Sequence, residues 1–187
     1  MFHFIIFIVV VALLIIIFGI SQYNGFVRLK NMVKEAFSTM DIYMQKRYDL
    51  VPNLVETVKG YTKHEQATLD AVINARNKAL TATGDNDKIA ADGALNNSLG
   101  KLLALTEAYP DLKANQNFIN LQDQLNKVET DIANARSYYN GVVKTLNTKI
   151  GSFPSNLIAQ YLNIKEEPLY EVDKIAARDN VKVDFNE

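Results

Sequence analysis

The chain has 187 residues, no cysteine and a formal net charge of −1. The lack of cysteine in the sequence excludes disulfides, thiolate zinc sites and iron–sulfur clusters, and the near-neutral charge provides no overall attraction to nucleic acid. Only eight glycines and four prolines interrupt the chain, which is typical of long helices.

The first predicted element is an unbroken apolar segment, FIIFIVVVALLIIIFGI, over residues 4–20. Together with Phe2 and His3 it would measure about 28 Å as an α-helix, close to the thickness of the hydrocarbon core of a bilayer. A cleaved signal peptide would need a basic start, a shorter apolar core and a small-residue cleavage site, and none of these is found here. The sequence therefore predicts a retained transmembrane anchor over residues 1–22, with the lipid bilayer as a partner.

Positive charges flank this segment on one side only. Arg28, Lys30 and Lys34 follow it, and no Lys or Arg precedes it. By the positive-inside rule, the side that carries the Lys and Arg residues faces the cytoplasm. We therefore expect a single-pass protein of the plasma membrane, with its N-terminus outside and its main body in the cytoplasm.

Two long apolar stripes follow the anchor, each with the alternating three- and four-residue steps of one helix face. The first contains Phe26, Leu29, Val33, Ala36, Met40, Tyr43, Leu50, Leu54, Val58 and Tyr61. The second contains Phe118, Leu121, Leu125, Val128, Ile132, Ala135, Tyr139, Val142 and Leu146. Pro52 falls within the first stripe; because the register continues across it, one long kinked helix is favoured, although Asp49 could instead cap a new helix.

Shorter helices are predicted between and after the two stripes. One runs from Leu69 to Leu80, and the next from Leu95 to Tyr109, with a turn at residues 83–87 between them. Pro110 is expected to open the long fourth helix, which Gly151 and Pro154 end; residues 155–162 can then form one short helix.

Together these elements predict an all-α fold, in which the transmembrane helix precedes an elongated antiparallel four-helix-type bundle over residues 23–165. Residues 166–187 are polar and predict a flexible or loosely docked tail. Within that tail, Val181, Val183 and Phe185 alternate like a short strand, but a lone strand has no partner to pair with.

No catalytic, cofactor-binding or metal-binding residue is predicted. His64-Glu65 resembles the start of the zinc motif H-E-x-x-H, but Thr68 stands where the second histidine is required. The fragment GALNNSLGK, residues 93–101, has the wrong glycine spacing for a phosphate-binding loop. A weak hydrolase that uses His64 is kept as an alternative function.

One polar residue lies on an apolar stripe. Arg47 follows Tyr43 by four residues, on the same face of the first long helix. A buried arginine requires a carboxylate partner, which predicts a buried pair with an acid on a facing helix, such as Glu129. The alternative is that Arg47, like most polar residues near Pro52, is solvated or caps a helix.

Three segments carry a family resemblance: RYDLVPNLVETVKGYTKHE (47–65), NLQDQLNKVETDIANARSYYNGVVKTLNT (120–148) and FPSNLIA (153–159). With the anchor and Tyr23-Asn24, they resemble the LemA family of bacterial membrane proteins. The resemblance implies an antiparallel four-helix-type bundle on one transmembrane helix, with the N-terminus outside. It implies no catalytic residue, and it associates the protein with maintenance of the cell envelope.

The expected function is therefore a non-catalytic, membrane-anchored interaction or scaffold module, whose partners are other membrane or envelope proteins. The alternative is a self-assembling, membrane-shaping protein that forms a homo-oligomer. Apolar residues off the main stripe, Ile42, Met44 and Val51, would then form the contacts between copies, unless they simply widen the core face.

Overall fold

The computed structural model describes residues 1–170, and all six regular elements in this part of the chain are α-helices. They are α1 (Phe2–Lys59), α2 (Gln66–Thr81), α3 (Asp85–Thr106), α4 (Pro110–Lys113), α5 (Gln116–Gly151) and α6 (Ser155–Tyr161). This confirms the all-α prediction and the long apolar helix at the N-terminus. The four-helix-type bundle stays a prediction, and the strand-like residues Val181, Val183 and Phe185 lie outside the described residues.

The N-terminal part of α1 exposes its apolar side chains on every side. Phe7 is 64% exposed and Leu14 is 60% exposed, and all of residues 1–18 are classed as exposed. Among the described helices, α1 is the one that is long and apolar enough to cross a membrane. Exposed apolar surface is unfavourable in water by about 25 cal/mol per Å², whereas a helix that satisfies its own backbone hydrogen bonds is stable in lipid.

The chain forms two compact units, and α1 and α5 contribute to both. Unit 1 contains residues 1–42 and 132–169, and unit 2 contains residues 43–131 together with Tyr170. Each unit has its own core.

In unit 1, α5 runs antiparallel to α1. The rings of Phe37 and Tyr139 meet edge to face with centroids 5.7 Å apart, and the Lys149 ammonium lies 4.8 Å from the centroid of the Phe26 ring. Residues later in α5 therefore contact residues earlier in α1, as in any antiparallel pair of helices. The core of this unit is formed by Phe26, Leu29, Val33, Ala36, Phe37, Met40, Ile132, Ala135, Tyr139, Val142, Val143, Leu146 and Ala159.

After α6, the chain of unit 1 turns back along α5. The Asn147 side chain donates to the Glu167 carbonyl (2.8 Å) and accepts from the Glu167 amide (3.0 Å). The Tyr139 hydroxyl donates to the Pro168 carbonyl at 2.9 Å. The first residues of the predicted tail are thus hydrogen-bonded to α5, and residues 171–187 lie outside the described part.

In unit 2, the apolar core is formed by side chains from α1, α2, α3, α4 and α5. Its buried side chains are Met44, Tyr48, Val51, Leu54, Val55, Val58, Leu69, Val72, Ala75, Ala79, Leu95, Leu99, Leu102, Leu112, Phe118, Leu125 and Val128. Met44 and Val51 are fully buried, so these two residues widen the core face. Ile42, in unit 1, is 56% exposed.

α1 continues through Pro52 without a break, which confirms the prediction of one long helix. Proline has no amide hydrogen, so the carbonyl of Tyr48, four residues earlier, loses its usual intrahelical donor. In unit 2 the Nε–H of Arg76, on α2, donates to the Tyr48 carbonyl at 2.7 Å. A side chain from a neighbouring helix therefore satisfies the acceptor that the proline leaves, and it does so where the helix packs against α2.

The prediction that Pro110 opens the long fourth helix is wrong. Pro110 opens only the one-turn helix α4, which ends at Lys113. The long helix α5 begins afresh at Gln116, where the Asn115 side-chain oxygen accepts a hydrogen bond from the Phe118 amide at 3.0 Å. An asparagine that satisfies a free amide of the first turn is a favourable helix cap, and it fixes the start of α5 here.

Candidate functional site

The most unusual group in unit 2 is a charged cluster in the core, which we call the Arg47 cluster. It consists of Arg47 and Tyr48 on α1, Asp92 on α3, Glu129 on α5 and Tyr170. Arg47 is 1% exposed, and its Nη1 donates to both carboxylate oxygens of Glu129, at 2.8 and 3.1 Å. The predicted ion pair between Arg47 and Glu129 is therefore confirmed, with Arg47 buried and the Glu129 side chain 35% exposed.

Asp92 is the second carboxylate of the cluster, and it is 2% exposed. Its Oδ1 accepts from Arg47 Nη2 and, at 3.3 Å, from the Tyr48 hydroxyl. Its Oδ2 accepts from the Tyr170 hydroxyl. A buried carboxylate is tolerated when an opposite charge and several donors replace its hydration, and Asp92 has all of these.

Sequence reasoning missed Asp92, although a signal was present. Asp92 precedes Leu95 by three residues and therefore falls on the stripe Leu95, Leu99 and Leu102 that α3 buries. A charged residue in phase with an apolar stripe indicates a buried ion pair, as it did for Arg47. Tyr170 gave no comparable signal, because it lies outside every periodic segment.

The Arg47 cluster combines one cation with two carboxylates in a site closed on most sides. Arginine keeps its proton at all ordinary pH values, so it can position groups but cannot act as a general acid or base. Its Nε has no hydrogen-bond partner among the described residues. Arg47 and Asp92 are buried, whereas the Glu129 side chain is 35% exposed and lines a groove of about 470 Å³ between α3 and α5. The cluster cross-links three helices, because Arg47 on α1 bonds to Asp92 on α3 and to Glu129 on α5.

A second polar contact in unit 2 joins Glu65, before α2, to Tyr109, before α4. The Tyr109 hydroxyl donates to Glu65 Oε1 at 2.5 Å, and the His64 amide donates to Glu65 Oε2 at 2.8 Å. The Tyr109 hydrogen bond, followed by the His64 amide, lowers the pKa of Glu65 below its usual value. The same hydrogen bond to the Glu65 carboxylate raises the pKa of Tyr109.

His64 and the segment 93–101, the two motif-like features of the sequence, lie in an exposed connection and inside a helix. His64 is exposed in the connection between α1 and α2, so His64 and Thr68 do not share one helix face. Residues 93–101 lie inside α3, where helical amides cannot form a phosphate cradle. Within residues 1–170, no group of three or more His, Asp or Glu side chains is placed to hold a metal ion.

Comparison with known proteins now identifies the family. The chain belongs to the LemA family, whose model matches residues 36–185. It is similar to the Protein LemA of Metamycoplasma hominis, with 24% identity over the whole of this chain and 84% of that protein. Family membership and the apolar part of α1 together indicate a membrane location.

The chain is also similar to proteins of magnetic bacteria. It is 22% identical to Magnetosome protein MamQ 2 of Paramagnetospirillum magneticum over 81% of this chain and 65% of that protein. It is 23% identical to Magnetosome protein MamQ of Magnetospirillum gryphiswaldense over 78% of this chain and 63% of that protein. The chain therefore spans somewhat less than two thirds of the length of these magnetosome proteins.

Proposed function

We propose that this protein is a non-catalytic, membrane-anchored scaffold that presents helical surfaces to other membrane or envelope proteins. Its anchor crosses the plasma membrane once, with the N-terminus outside. Its remaining helices lie on the cytoplasmic side. The positive-inside rule supports this orientation, because Arg28, Lys30 and Lys34 follow the apolar segment and no Lys or Arg precedes it.

The observation that carries this proposal is the continuity of α1. One helix of 58 residues contains both the apolar segment and the residues that enter the cores of the two units. A continuous helix transmits position and orientation, whereas a flexible linker of glycine and serine would not. A helical surface joined directly to a membrane anchor suits a protein that presents partners at a membrane.

The Arg47 cluster supports a positioning role. Its side chains hydrogen-bond to one another, and the one partly exposed acid, Glu129, accepts a hydrogen bond from Arg47. A buried ion pair often adds specificity of packing more than net stability, and here it would fix one arrangement of α1, α3 and α5.

Self-assembly is the second candidate function, and Ile42 favours it. This side chain is 56% exposed on the face of α1 opposite the buried Met40 and Met44. A second copy of the chain would cover it.

The test is chemical crosslinking in cells of the C-terminally tagged protein, followed by purification in detergent and mass spectrometry of the adducts. The scaffold proposal predicts reproducible adducts with particular membrane or cytoplasmic proteins. Recovery of self-adducts alone, abolished by Ile42→Gln but kept in Val27→Gln, would support self-assembly instead. Val27 is a matched control because it is also an exposed apolar residue of α1, at 42% exposure. Adducts exclusively with extracytoplasmic proteins would contradict the proposed orientation.

A further inference from the structure

In unit 1, α6 and the turn that precedes it carry an exposed apolar surface. Three large side chains around α6 are exposed: Phe153 at 81%, Leu157 at 56% and Tyr161 at 89%. Leu157 and Tyr161 are four residues apart and therefore share one face of α6. Phe153 lies in the turn that precedes the helix.

The packing of α5 on α1 determines the height of this surface. The Lys149 ammonium lies against Gly25 and over the Phe26 ring, and Phe37 contacts Tyr139 at the other end of the pair. Because the helices are antiparallel, the last residues of α5 lie still closer to the apolar segment than Phe26 does. Phe26 is six residues beyond Ile20, which corresponds to about 9 Å along a helix.

α6 is the turning point of the chain at that end. The Ser155 hydroxyl donates to the Lys149 carbonyl at 2.7 Å, which holds the start of α6 against the end of α5. Beyond α6 the chain returns along α5, since Glu167 pairs with Asn147 and Pro168 accepts from Tyr139. The chain thus approaches the level of residues 20–26 along α5, turns through α6, and leaves again.

We propose that Phe153, Leu157 and Tyr161 form a second membrane contact, in which α6 lies on the surface of the bilayer that α1 crosses. The inference rests on the proposed transmembrane position of α1. The start of α6 is held to the end of α5, which lies less than about 9 Å beyond Ile20 along the axis of α1. The polar interface of a bilayer extends roughly 5–8 Å beyond each side of the hydrocarbon, so it overlaps this level. Aromatic and aliphatic side chains on a short amphipathic helix are the groups that enter this layer, and Tyr is enriched there.

Charge at the same level fits an anionic lipid surface. Burial lowers the pKa of Lys149, and the positive charge of the nearby Arg28 lowers it further. Two cations at headgroup height would be stabilised by lipid phosphates. Arg28 also lines a groove of about 530 Å³ whose other walls include Ile17 and Ile20. The groove is therefore apolar beside the membrane-spanning segment and cationic beyond it, which matches the acyl chain and the anionic headgroup of a lipid.

The test uses single tryptophans, because the protein has none of its own. The full chain is reconstituted in vesicles whose lipids are brominated in the upper part of their acyl chains. Phe153→Trp and Tyr161→Trp should show blue-shifted emission and quenching several-fold stronger than Tyr138→Trp. Tyr138 is a matched control, since it is an aromatic residue of unit 1 with 54% exposure, next to the Tyr139 that packs on Phe37.

A third variant, Ile17→Trp, separates the two proposals, because Ile17 is exposed and would lie in the upper part of the hydrocarbon layer. If Ile17→Trp is quenched but Phe153→Trp and Tyr161→Trp behave like Tyr138→Trp, the contact of α6 with the membrane is wrong and the anchor stands. If Ile17→Trp itself is not quenched, the anchor is wrong and the contact of α6 falls with it. Circular dichroism of each variant confirms that its helices are intact.

Discussion

Arg47 is a single side chain whose loss is expected to destabilise unit 2 strongly. It is 1% exposed and bonds to two carboxylates on two different helices. Arg47→Ala would leave Asp92 buried without its counter-ion, and such a loss costs about 3–5 kcal/mol in the free energy of unfolding. Thermal or denaturant unfolding of the detergent-solubilised protein measures this.

The matched control is an ion pair of α1 that lies in solvent. Lys59 and Glu56 are 3.5 Å apart, with side chains 55% and 72% exposed. Lys59→Ala should change stability by less than about 1 kcal/mol. Equal effects of Arg47→Ala and Lys59→Ala would show that the Arg47 cluster does not hold the core.

Glu65 and Tyr109 predict a dependence of stability on acid pH. Because the pKa of Glu65 is lowered in the folded protein, its stabilising contribution is present above the unfolded pKa of about 4.3 and is lost as pH falls through the folded value. Tyr109→Phe removes the main cause of that shift. The variant should therefore melt below the unaltered protein at pH 7, and the difference should narrow in acid. A difference that stays constant down to pH 3 would contradict this account.

At the scale of elements, Pro52 and Arg76 form a testable pair. Arg76→Met removes the donor to the Tyr48 carbonyl and leaves that acceptor without its partner, which costs about 1–3 kcal/mol. In a Pro52→Ala background the residue at position 52 has an amide hydrogen that can donate to the same carbonyl. Arg76→Met should therefore cost less in that background than in the unaltered protein.

Denaturant unfolding of both single variants and the double variant gives the coupling energy directly. The comparison is internally controlled, because the packing of the Arg76 side chain is lost equally in both backgrounds. The same cost for Arg76→Met with and without Pro52 would mean that this hydrogen bond does not compensate for the proline.

The long elements could be predicted from the sequence because their apolar positions repeat over many turns. Eight of the nine residues in the predicted stripe of α5 are buried, and Leu121 is half-buried. The apolar stripe of α1 keeps its spacing on both sides of Pro52, which favours one continuous helix, because a separate helix need not continue the same spacing. The start of α5 could not be predicted, because Pro110 and Asn115 are both good helix starters and tertiary packing decides between them.

The candidate site could be predicted only in part, for a related reason. Arg47 and Asp92 both fall on buried stripes, so the sequence shows that each needs a partner. It does not show which partner, since that depends on how the helices are rotated against one another. The Tyr170–Asp92 hydrogen bond joins residues 78 apart in sequence, and no local pattern marks such a pair.

At the scale of the whole molecule, the central claim is that α1 carries a helical scaffold on the cytoplasmic side of a membrane. The protein has no cysteine, so single introduced cysteines report on sidedness without background. His3 and Lys101 are exposed positions, one before the apolar segment and one on α3. The decisive measurement is labelling of His3→Cys and Lys101→Cys with a membrane-impermeant maleimide in right-side-out membrane vesicles. We expect His3→Cys to be labelled at once and Lys101→Cys only after permeabilisation. The reverse pattern would show that the N-terminus is inside and α3 is outside, opposite to the proposed orientation.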